Sequence, residues 1–222
     1  MAPAPLVLVT GASRGIGREL CRQLLDRGCA VIAGVRDPAR APAGTEALDL
    51  DVTDGDSVAA AAEAVRQRHG VLDVLVNNAG ILSEDDQDLL ELPEDLLLET
   101  LDTNALGPLR MAQAFAPLLR KGGRIVNVSS GGGQLSSPST WSPAYCLSKT
   151  LLNGLTVQLA EALKPRGIAV NAACPGWVRT DMGGAAAPRN VAEGAAGLTW
   201  LCLDAPPEMT GRFVRDGREI AW

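Results

Sequence analysis

At 222 residues, 46% of them apolar and 21% charged, the chain has the size and balance of one soluble globular domain with room for a substantial core. A formal net charge of −6 argues against nucleic acid as the main partner, and no apolar run reaches the length that crosses a bilayer, so no membrane is expected. Five scattered cysteines (Cys21, Cys29, Cys146, Cys174, Cys202) with no CxxC pair fit reduced, mostly buried thiols better than a disulfide framework, which points to a cytoplasmic protein.

In chain order, the opening stretch MAPAPLVLVTGAS lacks a basic n-region and does not read as a signal peptide. Residues 5–9 predict a buried strand, broken by the glycine turn TGASRGIG and followed by a helix that stops at Gly28. Strands are expected at 29–35 and 46–50; between them RDPARAPAGT, with two prolines, leaves room only for a loop or a single turn. A helix over DSVAAAAEAVRQRH leads to a strand at 72–78, and one long helix from Asp95 to Arg120 precedes a strand at 123–130. A helix from about Pro143 to Lys164, the strand IAVNAACPG, a helix near 190–204 and a final strand GRFVRDG complete the order. Strands that are apolar throughout and alternate with helices predict a parallel sheet covered on both faces. The fold class is therefore α/β, a doubly wound Rossmann-type sheet of about seven strands in one domain over 1–222. Its cofactor half spans about 1–125, and catalytic and substrate elements span about 126–222.

Between Glu84 and Asp102 the chain carries nine acidic residues and no basic ones. This reads as a solvated loop and an acid-rich helix start rather than a docking surface. The single histidine, His69, falls where a helix should end, without a GxSxG elbow or a cluster of metal-ligand spacing. Neither a histidine-based hydrolase nor a metal site is expected.

Gly11-x-x-x-Gly15-x-Gly17 follows a predicted strand and opens a predicted helix, the context that makes a glycine turn a dinucleotide site. Gly11 suits a positive-φ turn, Gly15 lets backbone approach a pyrophosphate, and Gly17 permits close packing of the helix, whose free N–H groups face the phosphates. Further on, YCLSK places Tyr145, the only tyrosine, four residues before Lys149, on one helix face. Free tyrosine titrates near pH 10, and a neighbouring cation favours its phenolate.

TGASRGIG, NNAG at 77–80, Asn104, NVSS at 127–130, YCLSK and PGWVRT at 175–180 stand in the order seen in the short-chain dehydrogenase/reductase family, which the chain resembles from Thr10 to Thr180. The tail, down to a final tryptophan, is similar to the carbonyl-reductase branch. The resemblance implies a tetrad of Asn104, Ser130, Tyr145 and Lys149. In it Tyr145 protonates a carbonyl oxygen as hydride reaches the carbon, Ser130 orients that oxygen, and Asn104 holds a water that links Lys149 to solvent. Either Ser129 or Ser130 could supply the serine; the family pattern uses the second. Ser130 precedes Tyr145 by fifteen residues, slightly more than is common in the family.

For the cofactor, the resemblance implies contacts from Gly11, Ser13, Arg14, Gly15, Ile16 and Gly17, then Asp51 and Val52 at the adenine. Asn77, Ala79 and Gly80 would form the floor, beside Tyr145, Lys149, Pro175, Gly176 and Val178, with Thr180 at the nicotinamide carboxamide. A carboxylate at the end of strand two would select NAD, but Val35 stands there, followed by Arg36, with Arg14 in the glycine turn. Two guanidinium groups near the ribose suit a 2′-phosphate, so NADP(H) is expected, although Asp37 is close enough to pair with Arg36 instead.

Only fourteen residues separate Gly176 from the helix near Val191, which suggests an open pocket for a small-molecule carbonyl substrate. Candidate walls are Gln134, Leu135, Trp141, Trp177, Met182 and Trp222, beside Ser130 and Tyr145, and their apolar character favours hydrophobic ketones, aldehydes or quinones. The same fold also serves dehydratases, epimerases and cyclases, and a non-catalytic NADP-binding regulator is a third reading. The chain lacks the large insertion before the catalytic tyrosine found in monomeric relatives, so a homodimer or homotetramer is expected.

Overall fold

The computed structural model describes residues 4–222; the first three residues of the stretch inspected for a leader lie outside it. Strands β1 (Leu6–Thr10), β2 (Ala30–Val35), β3 (Glu46–Asp49), β4 (Leu72–Asn77), β5 (Leu119–Val128), β6 (Ala169–Ala173), β7 (Phe213–Arg215) and β8 (Arg218–Glu219) form one sheet in the order β3-β2-β1-β4-β5-β6-β7-β8. All pairings are parallel except β7 with β8. The order reverses between β1 and β4, so a crevice opens at the carboxyl ends of those two strands.

Alternation along β1 shows why that strand is apolar almost throughout. Leu6 and Leu8 face a core closed by α2 (Gly55–Arg68), α4 (Gly107–Phe115) and α5 (Pro143–Leu163), where Val58, Met111, Phe115 and Leu163 pack. Val7 and Val9 face the opposite layer, where Leu20 and Leu24 of α1 (Gly15–Asp26) meet Leu198 and Leu201 of α6 (Val191–Leu203). The prolines after β2 leave a single 3-10 turn, Pro38–Arg40, as the spacing predicted.

Two regions differ from the sequence expectation. The long helix is broken into α3 (Glu94–Leu101), a π turn (Asp102–Leu106) and α4, and strand β5 begins at Leu119. Pro108 offers no N–H to the carbonyl of Asn104, four residues before it, and the Gly107 N–H reaches back to Asp102 instead. Pro117 ends α4 in the same way, through a 3-10 turn. The final strand is also a hairpin rather than a single run. Asp216 and Gly217 take φ of 52° and 73°, a primed two-residue turn, and β8 folds back on β7. The five cysteines are all free and buried, and among the described residues no helix is long and apolar enough to cross a membrane.

Phe115 is fully buried where α4 meets the sheet. Phe115→Ala is expected to lower unfolding free energy by about 3–5 kcal/mol. In urea this should appear as a reduced midpoint at unchanged slope.

Candidate active site

The crevice is a cleft of about 410 Å³. Its floor comes from the turns that follow β1 and β4. Thr10 is buried, and its Oγ1 accepts the N–H groups of Asn78 and Ala79, both at 3.0 Å. The Asn78 amide donates back to the Thr10 and Gly11 carbonyls at 2.9 and 3.2 Å. Gly11 has φ of 64°, and a Cβ there would lie 2.8 Å from the Ala79 Cα. A Cβ on Gly17 would come within 2.5 Å of both the Gly11 carbonyl and the Asn78 amide nitrogen. Helix α1 therefore starts hard against the floor, with no side-chain cap and no acid in its first turn.

Of the residues expected at a cofactor, Gly11, Ser13, Arg14, Gly15, Ile16, Gly17, Arg36, Asp51, Val52, Ala79, Gly80, Tyr145, Lys149, Pro175 and Thr180 line this cleft. The structure does not bring the other three to it. Asn77 turns into the core, donating to Asn127 Oδ1 at 2.8 Å, and its neighbour Asn78 takes the floor position. Val178 packs on α6 at Gly194, and Gly176 leaves room for the Arg189 side chain. Asp37 does not pair with Arg36: its Oδ1 accepts the Ala39 N–H at 3.1 Å. Arg36 has neither an ion pair nor a side-chain hydrogen bond among the described residues, whereas Arg14 pairs with Asp181 at 3.0 Å.

The four tetrad positions converge at one end of the cleft. The Ser130 hydroxyl lies near the Tyr145 phenol; the residue sits past the end of β5 and caps the turn Gly131–Gly133 by accepting the Gly132 N–H at 3.1 Å. Ser129 instead donates to Asn153 Oδ1 at 2.6 Å. Lys149 is buried, 5.5 Å from the Tyr145 ring centroid, and donates to the Val128 carbonyl at 2.9 Å. The Asn104 side chain is engaged by a strand-4 loop residue: its Oδ1 accepts the Ile81 N–H at 2.8 Å, and its Nδ2 donates to the Ile81 carbonyl at 2.9 Å and to Ser148 at 3.0 Å. Both Nδ2 hydrogens of Asn104 are used, which leaves the second lone pair of Oδ1 and the backbone carbonyl in the π turn as acceptors for a water.

Burial dominates the proton equilibria. It pushes the Tyr145 phenol well above its ordinary value, and the nearby Ser130 hydroxyl offsets only part of that rise. It pulls the Lys149 ammonium down to about 8. The phenol is thus held neutral, the form that can donate a proton.

Among the expected substrate walls, Met182 lines the cleft and Trp141 lies beside Tyr145, with ring centroids 5.5 Å apart. Leu135 and Trp177 are exposed, and the Trp177 indole donates to the Gly183 carbonyl at 2.8 Å. Gln134 and Trp222 have other partners. The Gln134 amide donates to the Ala221 carbonyl at 2.7 Å, and Trp222 stacks on Phe213. The short segment between Gly176 and α6 is pinned at its base, where Val178 bridges Arg189.

The profile of the short chain dehydrogenase family matches residues 5–190. The chain belongs to that family. It is 33% identical to the short-chain dehydrogenase anuI of Penicillium roqueforti, with 98% of each chain covered. It is 31% identical to carbonyl reductase [NADPH] 1 of Sus scrofa, covering 98% of this chain and 94% of that one. The crystal structure of NADPH-bound carbonyl reductase from chicken fatty liver superposes with a TM-score of 0.90 at 32% identity over 99% of both chains. This short chain dehydrogenase is thus an oxidoreductase whose fold and family agree.

Sequence reasoning missed Thr103 and Asp181 as cleft residues.

The depressed Lys149 value has a consequence for stability. Between about pH 8 and 10.5 the unfolded chain holds this proton and the folded one does not, so unfolding free energy gains an upward slope with pH. In Lys149→Met that contribution should vanish. Urea denaturation of both proteins across this range checks it: the difference curve, wild type minus variant, should rise with pH and then level off.

Proposed function

We propose that this dehydrogenase reduces ketone, aldehyde or quinone carbonyls to alcohols with NADPH, with Tyr145 as general acid. The observation that carries the reading is the placement of Tyr145 in the cleft wall, beside the Ser130 turn and 5.5 Å from the buried Lys149 ammonium. The residues present fit a dinucleotide. Uncapped N–H groups at the start of α1 suit a diphosphate, and positive-φ glycines allow backbone to approach it. Bound NADPH supplies the hydride.

The chain's own residues supply the rest. Ser130 donates a hydrogen bond to the carbonyl oxygen and sets its distance from Tyr145. Tyr145 gives its phenolic proton to that oxygen as negative charge develops there. Lys149, held by the Val128 carbonyl, stabilises the phenolate left behind and passes a proton back toward it. Trp141 and Met182 offer apolar contact to the substrate body, which favours hydrophobic carbonyl compounds.

Selectivity for the 2′-phosphate rests on Arg36. Val35 stands where a ribose-binding acid would, Asp37 is occupied by its own turn, and the Arg36 guanidinium has no protein partner among the described residues. The carbonyl-reductase relatives from Sus scrofa and chicken carry NADPH in their descriptions, which supports the same choice.

Tyr145→Phe should cut kcat for an aromatic aldehyde or diketone by roughly 10²- to 10⁴-fold. NADPH affinity should stay within about twofold in a fluorescence titration, since the ring remains. Normal turnover by this variant, or no NADPH oxidation by the parent with any carbonyl in a broad panel, would sink the reading. Separately, Arg36→Leu should erode the preference for NADPH over NADH by roughly tenfold or more, the worth of a charge-assisted hydrogen bond to phosphate. A ratio of cofactor KM values left unchanged would transfer that role elsewhere.

A further inference from the structure

Of the nine acids between Glu84 and Asp102, Asp86 alone is fully buried, at 1% exposure. Both of its oxygens are used. Oδ1 accepts the Ala144 N–H and Oδ2 accepts the Tyr145 N–H, each at 2.9 Å. These are the first two N–H groups of α5, because Pro143 at the first helical position has none. The local cap is missing. Ser142 sits in the left-handed region, with φ of 43°, and its hydroxyl makes no capping bond. A residue 58 positions earlier in the chain therefore caps the helix that carries the tetrad tyrosine and lysine.

Among the described residues Asp86 has no Lys, Arg or His partner, so the cost of burying its charge is offset by the two N–H groups and the positive end of α5. Its charge is felt in that turn: the thiol of Cys146 is held above its ordinary value by burial first and by Asp86 next. The same segment serves the opposite side of the site, since Ile81, five residues earlier, holds both polar atoms of the Asn104 amide. Residues 81–86 thus join the π turn to the first turn of α5, and the two tetrad members borne there are set against each other by one short stretch of chain.

We propose that Asp86 is a positioning residue for proton transfer: by gripping the amide of Tyr145 it sets where the phenol stands relative to Ser130 and Lys149. The proposal rests on the reading of Tyr145 as the acid. A cap that served only stability would alter the melting temperature and leave turnover of folded protein untouched. A positioning residue alters the proton-transfer step itself, and small displacements of a reacting group are costly in rate.

The test is Asp86→Asn, which keeps the size and turns one acceptor into a donor facing an N–H. Assayed well below its melting transition, the variant should show kcat lowered roughly 10- to 100-fold. NADPH Kd and carbonyl KM should change by less than about threefold, and the D2O solvent isotope effect on kcat should exceed that of the parent. If the asparagine variant does not fold, Asp86→Glu keeps the charge but moves both oxygens by one methylene, and the same split is expected. An unchanged kcat in folded variant overturns the proposal, as does a loss of NADPH affinity equal to the loss of kcat. Tyr145→Phe run alongside separates the two ideas. If it is active, the acid assignment fails. If it is inactive while Asp86→Asn is normal, only the role of Asp86 fails.

Discussion

No Cβ fits at Gly11 or Gly17, where the turn after β1 meets the turn after β4. That exclusion is the constraint from which the site follows. Gly11 faces Ala79 backbone at a distance no Cβ could share, and its positive φ adds a conformational reason for glycine. Gly17 is held as closely, against the carbonyl of Gly11 and the amide of Asn78. The neighbours at both positions include backbone, so a substitution could not be absorbed by a rotamer change. Thr10 then stitches the two turns together from within, by accepting two N–H groups that would otherwise be buried without partners. The cleft is shaped by how near these turns lie, and α1 begins where that nearness requires.

At the other end of the cleft, burial outweighs charge. The spacing of Tyr145 and Lys149 suggests that a cation one turn away lowers the phenol's affinity for its proton. In the structure the phenol moves the opposite way, because it loses water on all sides and the ammonium stands 5.5 Å from the ring centre. Lys149 is itself weakened by the same loss of water. The pair is therefore poised in a direction suited to donation, a phenol keeping its proton beside a lysine ready to yield one. The nearby Ser130 hydroxyl works against this trend, since its polarity favours the phenolate. A substrate oxygen that takes up that hydroxyl would withdraw this help at the moment the proton is to leave, and other positive charge must then compensate.

The centre of the sheet was legible because both faces of its strands are buried, so β1 and β2 read as unbroken apolar runs flanked by turn residues. The glycine turn and the tyrosine–lysine spacing were legible because each is local. What escaped was non-local or depended on one missing hydrogen. Pro108 breaks a helix whose side-chain periodicity runs on unbroken, since periodicity does not register an absent N–H. Gln134 and Trp222 read as substrate walls by composition, yet the chain end returns to meet them, and no pattern in the sequence announces that contact. Asp86 lies among eight other acids that are indistinguishable from it in the sequence, and only the fold shows that its carboxylate reaches the start of α5.

The two arginines near the adenosine end are not equivalent, and magnitudes decide between them. Arg14 is tied to Asp181, which bridges the glycine turn to the segment that borders the cleft beside Met182. Both partners are largely exposed, so the pair is worth at most about 1 kcal/mol. A bidentate contact with a phosphate dianion is worth more, about 1.5–3 kcal/mol for each charged hydrogen bond. On the proposed reading, a 2′-phosphate wins Arg14 from Asp181, and the cost of parting them is subtracted from its binding. Arg36 carries no such debt, since no protein group competes for it among the described residues. The discrimination should therefore fall mainly on Arg36. The segment that carries Asp181 holds its shape through Thr180 Oγ1 accepting the Gly183 N–H at 3.0 Å rather than through the ion pair, so parting Arg14 from Asp181 leaves its fold in place.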